Sequence, residues 1–325
     1  MIFRRLYRLA AVALVLAAAG CSGLSPGDDD PPPAGTGCVD SIEIYSPLTG
    51  AVVPVGTDTT LDLATWNLEF FPLAPNPDPF DCPIPNSTER IQKVAELINA
   101  LAIDVIAVQE ISVPGGFAEL LALCPDYGGA LVPESHGCNY QRTGVIYRKS
   151  IVTLHSFRTL NELSVFTREP FEADLTATQN GRSYHFRLIS LHLKAGGEED
   201  APRRRSETTA LHGYLEAKTI SDPGLDYIVA GDWNDVLTDP MSNTSFPAFL
   251  ADPENFSFVT DRLKSRTDMG SYGSRLIDLI LVNGSACSDF AGARVATLRL
   301  DSMVSGYSNL VSDHRPVLVS TPIFK

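Results

Sequence analysis

The chain has 325 residues, 44% of them hydrophobic, and a formal charge of −14. Such a chain folds as a globular protein with a sizeable core, in one large domain or two medium ones. The charge excludes an overall basic footprint for nucleic acid, although a local cationic cleft and a bound metal, not the whole-chain sum, set the field that a phosphate meets.

Residues 1–20 stand apart from the fold. Arg4, Arg5 and Arg8 precede an apolar run, Leu9 to Ala19, that ends in small residues, which is export-signal architecture and too short to span a membrane comfortably. Losing these three arginines, and no acidic residue, takes the charge from −14 to −17. Ala18-Ala19-Gly20-Cys21 resembles a bacterial lipobox, in which the cysteine is acylated and becomes the new N-terminus. The resemblance implies a chain anchored to the bacterial cell envelope, with Ser22 in keeping with the outer membrane. Acyl chains contribute about 0.8 kcal/mol per buried methylene, so two or more anchor stably. Without the lipid the chain would be secreted.

Residues 21–37, rich in Pro, Gly and Asp, offer too little apolar surface to offset ordering entropy and are expected to be a tether. Residues 38–60 are weakly extended and broken by Pro47, Gly50 and Pro54, an edge hairpin or ordered lead-in. The catalytic domain is placed at residues 61–325. Cys38, Cys82, Cys124, Cys138 and Cys287 remain, an odd number in an oxidising compartment. Cys124 with Cys138 is the first-choice bridge; Cys38 with Cys82 or Cys287 is a second pairing that the sequence leaves open. No C-x-x-C pair points to a cysteine-held metal.

Leu61 to Trp66 reads as a strand, and Glu89 to Leu101 as a helix with Ile91, Val94, Leu97, Ile98 and Leu101 on one face after a Ser87/Thr88 cap. Further strands are expected at Val105–Val108, Thr143–Tyr147, His185–Leu191, Tyr227–Ala230, Ile277–Val282 and Pro316–Ser320, with a second helix at Arg203–Lys218. Many strands, few helices and no strict βαβ rhythm predict an α+β sandwich with functional loops at the strand ends.

At nearly every strand end a carboxylate, amide or imidazole follows the apolar run. Phosphoryl transfer needs such groups: a divalent ion, an oriented nucleophile and charge stabilisation on the phosphoryl oxygens. Asn67, in Trp66-Asn67-Leu68-Glu69, orients water with a neutral amide. Glu110 follows a buried strand, where a hard oxygen ligand for Mg²⁺ belongs. His192 and Lys194 precede Gly196-Gly197, which let backbone come near a ligand. Asp232 and Asn234, in Gly231-Asp232-Trp233-Asn234-Asp235, alternate and so project to one side of an extended segment. Asp278 lies inside an apolar run, where a carboxylate needs a partner; His314, in Ser312-Asp313-His314-Arg315-Pro316, is the economical one.

In order, WNLE, QE, RTGVIY, TREP, HLKAGG, GDWND, RLIDLIL and SDHRPV resemble the endonuclease/exonuclease/phosphatase superfamily over residues 61–323. The resemblance implies a four-layered α/β sandwich, two mixed sheets face to face with helices outside, and a metal-dependent phosphodiesterase. It implies Glu110 as the principal Mg²⁺ ligand, helped by Asn67 and Asp313, with Mn²⁺ or Ca²⁺ as alternatives. Asp232 would activate water that Asn234 aligns; His192 and the Asp278-paired His314 would bind phosphate oxygens or handle the leaving-group proton. Arg168, in Thr167-Arg168-Glu169-Pro170, matches a segment of secreted deoxyribonucleases whose guanidinium meets phosphate, and Lys194 joins it. The family's carboxylate partner for His192 is left open between Glu134, Gln141 and none.

The expected function is an exported, monomeric nuclease acting on DNA or RNA. The alternative is a phospholipid or inositol phosphate hydrolase, which membrane anchoring favours but for which no long aromatic hairpin is present. A catalytically dead binding module would have lost Glu110, Asp232 or His314, and all three are present. No P-loop, dinucleotide fingerprint, H-E-x-x-H or G-x-S-x-G motif supports another enzyme class.

Overall fold

The computed structural model describes residues 37–73, 86–132 and 140–325. Its elements in chain order are β1 (Glu43–Ile44), β2 (Leu61–Phe71), α1 (Thr88–Leu101), β3 (Val105–Ile111), α2 (Pro114–Leu123), β4 (Tyr127–Leu131), β5 (Arg142–Arg148), β6 (Val152–Thr159), β7 (Phe171–Gln179) and β8 (Arg182–His192). There follow α3 (Ala201–Ser221), β9 (Asp226–Asp232), α4 (Pro247–Leu250), β10 (Phe256–Phe258), β11 (Asp278–Asn283), α5 (Gly284–Asp289), β12 (Arg294–Thr297), α6 (Tyr307–Leu310) and β13 (Val317–Thr321).

The strands form two mixed sheets, ordered β1-β12-β13-β2-β3-β5-β4 and β10-β11-β9-β8-β7-β6. The α+β sandwich expected from the sequence is therefore the observed one. Period-2 alternation along β2 shows why the sheets stack. Leu61 and Leu63 enter the core shared with the second sheet, whereas Ala64, Trp66 and Leu68 pack with the apolar stripe of α1. On the other flank, Leu211 and Leu215 of α3 join the shared core, so helices cover both outer faces.

Helix α1 starts where its cap was expected: the Ser87 side chain accepts a hydrogen bond from the Arg90 N–H, a cap worth about 1 kcal/mol. The lead-in is no hairpin; Gly37–Ser41 form a 3₁₀ turn and β1 pairs in parallel with β12 at the sheet edge. Strands β4, β6, β7, β10 and β12 were not expected: β4 contains Gly128 and Gly129, β6 exposes Thr153 and Ser156 to Arg158, and β10 and β12 are only three and four residues long. Cys124 is a free, buried thiol, so the Cys124–Cys138 bridge is not formed; its hydrogen is aimed at the Ala95 carbonyl from 3.8 Å, inside the α1 core. Cys287 is disulfide-bonded. The proposed lipidation site Cys21, together with Cys82, Cys138 and Glu134, lies outside the described residues.

Between the apolar core and one edge of the sandwich runs a polar belt that joins the sheets. Thr65 Oγ1 donates to Gln109 Oε1 (3.1 Å), Gln109 Nε2 donates to Ser190 Oγ (3.1 Å), and Ser190 Oγ donates to the Val108 carbonyl (3.1 Å). Thr65 and Ser190 stand two residues before Asn67 and His192, and Gln109 one before Glu110, so the belt fixes the depth at which those side chains leave the core.

Candidate active site

Three neighbouring strands place their chemistry in one row. In the parallel β8–β9 ladder His192 is opposite Asp232, and in the antiparallel β9–β11 ladder Asp278 is opposite the same Asp232. His314, arriving just before β13, closes the row: its Nδ1 is 2.7 Å from Asp278 Oδ2 and its Nε2 is 3.8 Å from Asp232 Oδ2. His192 Nε2 is 3.5 Å from Asp232 Oδ2 and 3.8 Å from Glu110 Oε1.

Glu110 reaches this row through a break in regular pairing. The β2–β3 register shifts between Asn67 and Phe71, and the β3–β5 register between Val108 and Ile111. At these irregularities Glu69, Phe70 and Glu110 have φ of 43°, 50° and 61°, a left-handed conformation that costs energy in non-glycine residues and re-aims their side chains. The strain is offset by hydrogen bonds: Phe70 N–H donates to Glu110 Oε2 (3.0 Å) and Glu69 N–H to Asn67 Oδ1 (2.9 Å).

Asn67 is the link between the sheets. Its Nδ2 donates to Glu110 Oε1 and to Asp232 Oδ2, each at 3.0 Å. Because its Oδ1 already accepts from Glu69, the amide presents nitrogen, not oxygen, to the carboxylates. In this arrangement the Asn67 amide is a donor to both carboxylates. Asn234, with φ 51°, donates its N–H to Asp232 Oδ1 (2.9 Å) and its Nδ2 to the Leu193 carbonyl (3.1 Å).

The electrostatics divide the site into two sides. Burial, and then the charge of Asp278, push Asp232 up to about 7, against the pull of His314. Burial works against a charged His314 ring, yet the charge and hydrogen bond of Asp278, together with the charges of Asp232 and Asp313, outweigh it and lift the ring to about 10. Burial, with Arg168 and His314 nearby, holds His192 well below its ordinary value, so one imidazole is charged and the other neutral. On the acidic side, burial and then the charge of Asp313 push Glu69 up to about 7. Asp313 is raised as well, by burial and, less strongly, by Glu110.

Arg168 stands near the row: its Nη1 donates to the Leu193 carbonyl (2.9 Å), and the charges of Glu110 and Asp232 bear on it. Its Nε donates to Gln141 Oε1 (2.7 Å), so Gln141 serves Arg168 and not His192, whose buried Nδ1 has no partner among the described residues. The Lys194 ammonium makes its hydrogen bonds away from the row. It is drawn to the Ala195 carbonyl and to Asp200 Oδ2 (3.1 Å).

Several positioning residues had not been singled out. Buried Arg90 donates to the carbonyls of Leu68 (2.7 Å), Leu73 (2.6 Å) and Val311 (2.8 Å), tying the end of β2 to the loop before His314. Ser312 Oγ donates to the Asn67 carbonyl (2.8 Å) and accepts from His314 N–H (2.9 Å). Glu207 of α3 accepts from Thr167 N–H (2.8 Å) and Lys194 N–H (2.9 Å), fixing the two loops that flank Leu193. Tyr272, 42% exposed, lays its ring 4.9 Å from that of His314. Only its small-residue surroundings, Gly270 to Ser274, hinted at a loop.

The sequence profile of the endonuclease/exonuclease/phosphatase family matches residues 64–314, and the chain belongs to that family. It is a hydrolase of that superfamily. Among solved structures, the human Nocturnin catalytic domain is similar at 19% identity and TM-score 0.57, covering 82% of this chain and 96% of that one. A mannosyl-6-phosphatase of Bacteroides thetaiotaomicron is similar at 15% identity and TM-score 0.55, covering 80% and 99%. TDP2 from C. elegans is similar at 15% identity and TM-score 0.56, covering 82% and 76%. At these identities the likeness concerns the fold. No curated protein sequence matches the chain.

The donor set fits a divalent cation. Glu69, Glu110 and Asp313 offer hard carboxylate oxygens on one side of the row, and burial, then the charge of Asp313, raise Glu69, a shift that a bound cation would oppose. Glu110, His192 and Asp232 also bring one ligand-capable atom each within 4.8 Å of one another.

Proposed function

We propose that this protein is an exported, Mg²⁺-dependent phosphodiesterase, lipid-anchored through Cys21, whose substrate is DNA or RNA. The observation that carries the reading is the row His192–Asp232–Asp278–His314 meeting Glu110 across the sheets. Glu110, with Glu69 and Asp313 beside it, would hold the ion, which when bound supplies charge neutralisation and an acidified water. Asp232, lifted to about 7 and held by Asn67 and Asn234, is matched to accept a proton from an attacking water near neutral pH. His314, kept protonated by Asp278, is suited to stabilise the phosphoryl oxygens or protonate the leaving oxygen. Neutral His192 contributes a hydrogen bond, and Arg168 pairs with the phosphate.

The Thr167–Pro170 segment supports a nuclease. The charge of −14 favours a second reading, a small phosphoester such as an inositol phosphate or a phospholipid headgroup. Purified protein incubated with plasmid DNA, RNA, sphingomyelin and inositol phosphates, each with Mg²⁺ or with chelator, separates the two. DNA nicking in the Mg²⁺ lanes alone is expected, with His314→Ala or Asp232→Asn about 10²-fold slower or worse. Cleavage indifferent to chelator rejects the metal mechanism; choline or inorganic phosphate release without nicking selects the second reading.

A further inference from the structure

A cavity of about 490 Å³, within the roughly 300–1,000 Å³ usual for small-molecule sites, lies among segments that adjoin the row in the chain. Its walls are continuations of the segments that build the site. Gly196 and Gly197 lie four and five residues past His192, Asp235 directly follows Asn234, and Arg275 lies three residues before Asp278. Backbone pairing of Tyr272 with both Arg275 and His314 ties the third wall to the row. Gly196 is required there: its φ is 129°, and a Cβ would fall 1.8 Å from the Asp200 carboxylate, so that wall is bare backbone.

The chemistry of the lining narrows what the cavity can take. Three cations, Arg204, Arg205 and Arg275, are balanced by Glu198, Asp235 and Asp239. The first two arginines direct donors at carbonyls of Lys194, Gly196, Gly197, Ser242 and Thr244, which makes them scaffold. What remains toward the cavity is the exposed Arg275, the Asn243 amide and Asp239, itself hydrogen-bonded to Asp235. An acyl chain would leave these groups dry and unpaired. A second phosphate would meet three carboxylates, and no aromatic side chain lines the cavity to stack a base. Hydroxyl groups, each a donor and an acceptor, suit such interleaved partners.

We propose that this cavity is the subsite for a polyhydroxylated ring, a pentose or hexose attached to the phosphate that the row cleaves. The assignment rests on the phosphodiesterase reading and, because an internal deoxyribose has no free hydroxyl, selects within it substrates that carry a ribose or a free sugar. It is tested with three Mg²⁺-supported substrates: bis(p-nitrophenyl) phosphate, the p-nitrophenyl ester of uridine 5′-phosphate and the p-nitrophenyl ester of glucose 6-phosphate, all products being followed by chromatography. In the Arg275→Ala/Asn243→Ala double variant, the ratio of kcat/KM for a sugar ester to that for bis(p-nitrophenyl) phosphate should fall at least tenfold. Which sugar ester falls identifies a nucleotide or a free sugar phosphate as the source. Both side chains are exposed, so the variant should keep the wild-type melting temperature. An unchanged ratio overturns the subsite alone; a wild-type protein that cleaves none of the three overturns the phosphodiesterase reading and the subsite with it.

Discussion

His314 Nδ1 and Asp278 Oδ2 stand 2.7 Å apart, both residues buried, with Tyr307 Oη donating to the His314 carbonyl from 2.7 Å and Ser271 Oγ accepting from the Asp278 N–H at 3.1 Å. The pair is held from both backbones, so its chemistry can be altered without moving it. In metal-free protein, ¹⁵N NMR should show the ring titrating near 10. Asp278→Asn removes the strongest raising charge and leaves burial opposed only by Asp232 and Asp313, so the midpoint should fall toward that of free imidazole, about 6.5. Because the imidazolium is then lost at lower pH, the alkaline limb of kcat/KM should move down and the rate at pH 8 should drop about 10²-fold or more. A midpoint unmoved by the substitution would show that Asp278 does not govern the ring.

Asn67 is a single amide shared by two carboxylates from different sheets. Asn67→Ala leaves Glu110 and Asp232 each short of a buried donor, so kcat/KM should fall on the order of 10²-fold, as for loss of a preorganised donor. Steady-state kinetics with saturating Mg²⁺ would decide; a variant that loses only substrate affinity would mean that the amide does not order the reacting groups.

Arg90 spends its guanidinium on three carbonyls on either side of the site. Arg90→Ala should destabilise the protein by about 3–5 kcal/mol in urea unfolding, because buried acceptors are left unpaired beside Glu69. Arg90→Lys should recover little of this, since an ammonium cannot span the same fork of acceptors. Full recovery by lysine would show that charge alone matters there.

At the opposite end of the β2–β3 pair, Asp104 Oδ2 accepts from the Asp62 N–H at 3.1 Å, and burial and then the charge of Asp62 raise Asp104 to about 7. The folded state therefore holds this proton more tightly than the unfolded chain, whose carboxylates titrate near 4. The associated stability is complete below about pH 4 and is lost as pH rises through 7. Urea midpoints should fall between pH 5 and pH 8 in the wild type and fall less in Asp104→Asn. Equal slopes would exclude Asp104 as the source.

What could be read beforehand was position along the chain. An apolar run of the right length followed by a polar residue identifies a strand end, which is why Asn67, Glu110, His192, Asp232, Asp278 and His314 converge as expected. Direction was not readable. The Asn67 amide is turned by Glu69 N–H, and Lys194 is drawn to Asp200, both through contacts made only in the folded chain. Arg90 and Glu207 escaped notice because a charged residue inside a helix ordinarily marks a solvated face. β4, β6 and β7 were missed because glycines and half-exposed polar residues blur the period-2 signal.

His192, Asp232 and Asp278 owe their spacing to adjacent rungs of a backbone ladder, so the reacting groups are insulated from the segments that join the strands. A one-residue insertion inside β8, β9 or β11 would rotate an indispensable side chain to the far face of its sheet. Insertions in the stretches after Leu193, Asn234 or Met269 would leave the rungs in place while remodelling the rim. Chains of this architecture can thus exchange the molecules they accept without rebuilding the machinery that cuts them.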